Sequence, residues 1–206
     1  MLNENCNPGD TFALGTHDGK PLQWRVLDVR DGRALLLSEV ILERKQYHDK
    51  LEPVAWDTCS LRQYLNGEFY KSFSEADRAR IALTRNENPD NTWGRTQGEP
   101  FGTPGGNPTD DHIFLPSVAD VLSYFPGLKP HKDSYGDEWW YEADEQLMAK
   151  LNGNGFWWWL RSPGAFQYLA ARVLTDGYVY LHGRYVSREG GVRPALWVKL
   201  EGGQQR

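Results

Sequence analysis

Three Asp-Gly pairs, Asp18-Gly19, Asp31-Gly32 and Asp176-Gly177, each lie between short runs of apolar and β-branched residues. Asp-Gly supplies two consecutive residues that tolerate a left-handed backbone, as a tight hairpin requires if its twist is to match its strands. A chain punctuated in this way builds much of its body from short antiparallel strands. Residues 11–14, 22–29 and 33–37 are the candidate strands of the first third. In the second of them, Leu22, Trp24 and Val26 alternate with Gln23 and Arg25, but Leu27 and Val29 break the pattern, so alternation does not choose a core face. Residues 157–160, 170–174, 178–181 and 192–198 return the last third to sheet.

Between these ends the period changes. Leu61, Tyr64, Leu65 and Phe69 recur at three- and four-residue steps behind Asp57 or Ser60 as N-cap, which predicts an amphipathic helix. Ser74-Glu75-Ala76-Asp77 and Ser117-Val118-Ala119-Asp120 each resemble a capping box with Asp in place of Glu, and predict two more helices. Ile113-Phe114-Leu115 reads as a buried strand before the last of them. Residues 86–108, rich in Asn, Gly, Pro and Thr, read as a long surface excursion. Residues 129–155 form a second irregular stretch, anchored by Trp139-Trp140-Tyr141 and Leu147-Met148. The expectation is one domain over residues 1–206, of α+β class, with short antiparallel strands, two to three helices and long loops.

Several function classes are disfavoured. A formal net charge of −5 without a basic stripe argues against a nucleic-acid partner. No apolar run approaches the roughly 20 residues of a membrane helix, and the first residues lack the basic and apolar regions of a secretory signal, so membrane insertion is not expected and the default compartment is the cytoplasm. Cys6 and Cys59 are too few for a disulfide framework or a zinc cluster; Cys59 is expected in the core and Cys6 in a mobile end. No His-Glu-x-x-His helix, phosphate-cradling Gly-Lys loop or Gly-x-Ser-x-Gly elbow is present, which points away from an enzyme and implies no cofactor. Asp110-Asp111-His112 is the one candidate for a metal site, although a turn is the simpler reading.

The positive signal is positional. Ala171, Val173, Val179, Val186 and Val192 suit a buried face, whereas Arg172, Leu174, Tyr178, Tyr180, His182, Arg184 and Tyr185 fall in the outward positions or beside them. Tyr, Arg and His are the types enriched where proteins make strong contacts, while a merely solvated face favours Lys, Glu, Ser and Thr. Phe166-Gln167-Tyr168-Leu169 adds more of the same. Within the Trp157-Trp158-Trp159 run, neighbouring indoles must point to opposite faces, which assigns the run to the scaffold.

Trp158-Trp159-Leu160-Arg161-Ser162-Pro163-Gly164 and Gly191-Val192-Arg193-Pro194-Ala195-Leu196 bracket this region. With Trp24-Arg25-Val26-Leu27, Leu35 to Glu39, Trp56, Cys59-Ser60-Leu61-Arg62 and Ile113-Phe114-Leu115, they make the chain resemble a bacterial and phage domain family that includes variable proteins of diversity-generating retroelements. That resemblance implies a C-type-lectin-like fold, close to the formylglycine-generating enzyme, with a segment at 165–189 diversified by adenine-directed mutagenesis. Asn codons in the template admit Phe166, Tyr168, Leu174, Thr175, Tyr178, Tyr180, Leu181, His182, Arg184, Tyr185, Ser187 and Arg188 as products, but neither Gln167 nor Glu189. The enzyme's paired C-terminal cysteines have no counterpart here, so its activity is not implied. The leading expectation is a ligand-binding protein whose contact residues are Phe166, Tyr168, Arg172, Leu174, Thr175, Tyr178, Tyr180, His182, Arg184, Tyr185, Ser187 and Arg188, facing an unknown protein or surface ligand. The alternatives are a metal-dependent carbohydrate binder or enzyme using Asp110, Asp111 or His112, and a phage or cell-surface assembly component.

Overall fold

In a computed structural model that describes residues 5–134 and 136–200, the two Asp-Gly pairs of the first third turn as their sequence demands. Asp18 and Gly19 have φ of 49° and 73°, Asp31 and Gly32 of 51° and 66°, and they join Thr11–His17, Lys20–Arg30 and Arg33–Ser38 into a meander. Ala195–Lys199 pairs antiparallel with Arg33–Ser38 to complete a four-stranded sheet. Leu22, Trp24 and Val26 point into the core, and the indole of Trp24 donates to the Leu14 carbonyl at 2.8 Å. The irregular alternation after Val26 is a bulge: Val26 pairs with Leu36 and Asp28 with Leu35, so Leu27 is the extra residue.

The second sheet has seven strands in the order Glu43–Gln46, Glu189–Val192, Trp158–Pro163, Leu169–Val173, Val179–Tyr185, Trp140–Tyr141 and Pro130–His131. All neighbours are antiparallel except Trp158–Pro163 against Glu189–Val192. The strand Trp158–Pro163 divides the interior. Trp159 belongs to one hydrophobic cluster with Trp24, Trp56 and Leu36, while Trp158 and Leu160 belong to a second with Val173, Val179 and Leu181. Both indoles are fully buried and both donate, Trp158 to the Leu147 carbonyl at 2.9 Å and Trp159 to that of Lys45 at 3.0 Å, as buried tryptophans must if their N–H is not to be stranded. The scaffold reading of these two residues therefore holds.

The class is not α+β. The chain is mostly β, with 41% of residues in strands and 14% helical, in several sheets, which corrects the expected C-type-lectin-like, formylglycine-generating-enzyme-like architecture. The helical patterns are real but span one or two turns. Ser60–Tyr64 runs into a π-helical turn, Leu65–Phe69, and is capped by Cys59, whose sulfur accepts from the Arg62 N–H, in place of the expected Asp57 or Ser60. Glu75–Arg80 starts at Ser74 as expected and buries none of its residues. Val118–Tyr124 has a complete Ser117–Asp120 capping box. Ile113-Phe114-Leu115 is buried but is not a strand, since only Phe114 bridges to Ala195. Cys6, expected in a mobile end, is buried against the first cluster. Asp176-Gly177 lies in a hairpin turn as expected, one longer than two residues: residues 174–178 join paired Val173 and Val179, the Leu174 N–H donates to the Tyr178 carbonyl at 2.8 Å, and Gly177 has φ of 88°. Among the described residues no helix is long and apolar enough to cross a membrane.

The stretch expected as a free surface excursion is tied down. Asn91 is wholly buried, and its amide nitrogen donates to the carbonyls of Pro163, Gly164 and Leu181 at 3.0 to 3.2 Å. Short strand pairs, Arg95–Thr96 with Glu99–Pro100 and Thr84–Asn86 with Thr109–Asp111, stiffen it. The excursion is thereby clamped to the end of the seven-stranded sheet.

Candidate functional site

Strand pairing brings five side chains from five strands into one row. Trp159 pairs with Arg172, Arg172 with Tyr180, Tyr180 with Trp140, and Trp140 with His131. At Trp159 this face is sealed against the first hydrophobic cluster; from Arg172 outward the row is only half-buried. The Arg172 guanidinium lies 5.3 Å from the Tyr180 ring, Tyr180 and Trp140 lie 6.3 Å apart, and His131 stacks on Trp140 at 4.9 Å. The opposite residues of the same strands, Ala171, Val173, Val179 and Leu181, are fully buried in the second cluster. One face packs and the other carries rings, as period-2 alternation requires.

A second set of rings continues the row beyond His182. Phe166 stacks on Tyr168 at 5.6 Å and Tyr168 on Tyr185 at 6.0 Å, and these three remain 52%, 37% and 46% exposed. His182 joins the two sets, with ring centroids 6.0 Å from Tyr180, 6.1 Å from Phe166 and 5.3 Å from Trp139. Burial lowers its pKa, which favours the neutral imidazole between the two sets of rings. The clamped excursion supplies a wall: Thr96, Pro100 and Phe101 line a hollow with Trp139, Phe166 and His182, and Trp139 donates to the Thr96 hydroxyl at 3.2 Å.

Gly183 sets the geometry of this corner. Between Arg184, paired with Ala170, and Tyr180, paired with Arg172, the strand carries two residues more than its neighbour. Gly183 has φ of 88° there, and a Cβ on it would sit 2.5 Å from the Ala170 carbonyl oxygen. Only glycine permits the bulge that keeps His182 and Arg184 over the open face.

A family model described as a domain of unknown function, DUF6273, matches residues 31–200. The chain belongs to this family. The match takes in every residue of the aromatic face of this DUF6273 domain and leaves out the first hairpin. No curated protein and no solved structure matches the chain.

The twelve contact residues expected from the DUF6273 sequence fall into three groups. Phe166, Tyr168, Arg172, Tyr180, His182, Arg184 and Tyr185 line one continuous depression. Ser187 and Arg188 line an adjoining cleft with Arg172, Arg184, Trp157 and Glu189. Leu174 and Tyr178 continue the outward positions toward the turn and are half-buried, with exposed Thr175 at its tip. Trp139, Trp140, His131 and Phe101 belong to the same surface and are not among the twelve. Their signal in the sequence was the Trp139-Trp140-Tyr141 cluster inside an otherwise polar stretch, which reads as an anchor until strand pairing places it beside Tyr180.

The side chains divide by what holds them. Tyr168, Tyr178, Tyr180, Tyr185, His182, Arg184 and Arg188 make no side-chain hydrogen bond to other described residues. Gln167, in their midst, donates to the carbonyls of Val54 and Pro104 at 3.2 and 3.1 Å, and Glu189 lies 3.9 Å from Arg44. Gln167 and Glu189 thus differ from these neighbours in having side-chain partners.

Asp110, Asp111 and His112 do not converge on a metal. Asp111 is fully buried, and its carboxylate accepts from Arg62 at 2.7 Å, Asn66 at 3.3 Å, Trp56 at 3.0 Å, Asn86 at 3.1 Å and Thr109 at 2.7 Å. Five donors occupy both oxygens. Asp110 faces outward toward Arg85 at 3.8 Å, and His112 stacks on Tyr70 at 4.2 Å. Among the described residues no group of three or more His, Cys, Asp or Glu is arranged to hold a metal ion.

Proposed function

We propose that the chain is a recognition protein whose partner is another protein, bound across the ring-bearing face of the seven-stranded sheet. The observation that carries this reading is the shared register of Arg172, Tyr180, Trp140 and His131 with exposed Phe166, Tyr168 and Tyr185 alongside. Rigid aromatic side chains give large contact area for little lost rotamer freedom, and Arg adds orientation. The absence of hydrogen bonds from these side chains to the body supports a second element, that the residues at 166–188 are exchangeable on a fixed frame, as in the variable proteins the sequence resembles. A reverse-transcriptase gene beside a near-copy of these codons, differing at adenines, is the genetic test of that element.

The binding reading is tested by panning a displayed peptide library against the full chain and measuring the enriched peptides on wild type and on the triple variant Phe166→Ala, Tyr168→Ala, Tyr185→Ala. Truncating central aromatic anchors costs about 2 kcal/mol or more of binding, roughly 30-fold in Kd. The melting temperature of the variant stays within a few degrees of wild type, because these rings are exposed. Peptides that bind the variant equally well, or a variant that fails to fold, overturn the reading.

A further inference from the structure

The two arginines that lie wholly in the interior, Arg161 and Arg193, are satisfied. Arg161 donates to the carbonyls of Leu115 and Glu87 and to Asn88 and Asp120. Arg193 donates to the carbonyls of Ser38 and Leu147, even though burial pushes its pKa down to about 10. Arg172 is different. Its guanidinium is flanked by Trp157 at 4.9 Å and Tyr180 at 5.3 Å, its Nε is sealed from solvent, and no acceptor among the described residues meets that atom.

Its neighbours make the imbalance larger. Arg184 and Arg188 are exposed in the same cleft, and no carboxylate of the described residues lies within ion-pair distance of either or of Arg172. Glu189, the acid of the cleft, faces Arg44. Burial first and the Arg184 charge second lower the Arg172 pKa, which is to say that both oppose its charged form. A chain of net charge −5 therefore holds three cations in a cleft whose one acid, Glu189, lies 3.9 Å from a fourth, Arg44. An incoming anion removes that penalty, whereas a neutral ligand leaves it in place.

We propose that Arg172, Arg184 and Arg188 form an anion subsite that seats a carboxylate from an acidic segment of the protein partner. The inference rests on the recognition reading above and names the chemistry of what is recognised. With rings on both sides and Nε sealed, the two terminal guanidinium nitrogens are what a ligand can meet, and a planar carboxylate matches that fork. Trp157 and Tyr180 then cover the apolar part of the acidic side chain.

The test uses the Nε–Hε NMR signals of the full chain during titration with glutarate, inorganic phosphate and chloride at equal ionic strength. Glutarate moves the Arg172 signal saturably, and chloride does not. Arg172→Gln weakens glutarate binding, read from the remaining arginine signals, by about tenfold or more, the loss of one charge-assisted hydrogen bond. Arg184→Gln and Arg188→Gln, at exposed positions where folding is not at stake, each weaken it severalfold. No saturable glutarate response, tighter binding of phosphate than of glutarate, or full affinity in both exposed variants overturns the subsite. Aromatic-dependent peptides without a glutarate response sink the subsite alone; a glutarate response without such peptides sinks the protein-partner reading.

Discussion

Replacing Asp111 with Asn preserves the shape of the side chain and removes its charge. The amide nitrogen must face either Arg62 and Asn66 or Trp56, Asn86 and Thr109. Of these five groups the Thr109 hydroxyl can reverse its role, and the Asn86 amide can by flipping, whereas Arg62 Nε and the Trp56 indole only donate and Asn66 is fixed by the His112 and Ile113 amides. One placement leaves Arg62 Nε without its acceptor at 2.7 Å; the other strands the Trp56 donor. Each stranded buried donor costs about 1–3 kcal/mol, and breaking a buried ion pair about 3–5 kcal/mol. The two descriptions overlap, so the expected loss is about 3–5 kcal/mol in total. At about 2–4 °C per kcal/mol for a chain of this size, the melting temperature falls by roughly 6–20 °C. Thermal and urea unfolding of Asp111→Asn, with and without calcium, measure it. A melting point within about 2 °C of wild type refutes the reasoning; a calcium-dependent rise in wild type that is lost in the variant would make Asp111 a metal ligand instead of a structural hub.

Two further outcomes follow from the division between held and displayed side chains. Gln167→Ala loses bonds to two carbonyls and destabilises by about 1–2 kcal/mol, whereas Tyr168→Ala next to it changes stability by about 0.5 kcal/mol or less; denaturant unfolding of the pair showing the opposite order would dissolve the distinction. His182 and His112 both have pKa values lowered by burial, so the unfolded chain takes up protons first as pH falls through its own value of about 6.5. Stability is complete above that pH and declines below it until the folded-state values are passed. His182→Leu removes part of the decline, and a stability that rises on acidification through this window contradicts the assignment.

What could be read in advance was what is decided locally. The turns at Asp18-Gly19 and Asp31-Gly32 and the helix starts at Ser74 and Ser117 depend on a few adjacent residues, and all four are where the sequence puts them. The inward residues Ala171, Val173, Val179, Val186 and Val192 follow from strand periodicity. The failures share a cause in tertiary pairing. The bulge at Leu27 is a property of two strands in register, the Cys59 cap uses a residue type seldom seen in that role, and Asn91 is a polar residue of a turn-rich stretch that three distant carbonyls draw inside. The helical patterns suggest a mixed class, but each helix is only one or two turns long, and the polar stretches that form small strand pairs carry no alternation in the sequence. Half of the aromatic row was hidden for the same reason, since His131 and Trp140 reach Tyr180 only through pairing.

The two outer strands of the seven-stranded sheet limit how a partner can engage it. One border is two residues long and opens with Pro130, which has no amide hydrogen to offer; the other reads Glu43-Arg44-Lys45-Gln46, charged at three of four places. Both are borders on which a foreign β-segment gains little, the usual protection of a sheet against aggregating with its own kind. Under the recognition reading proposed above, whatever docks must read side chains and not zip onto backbone.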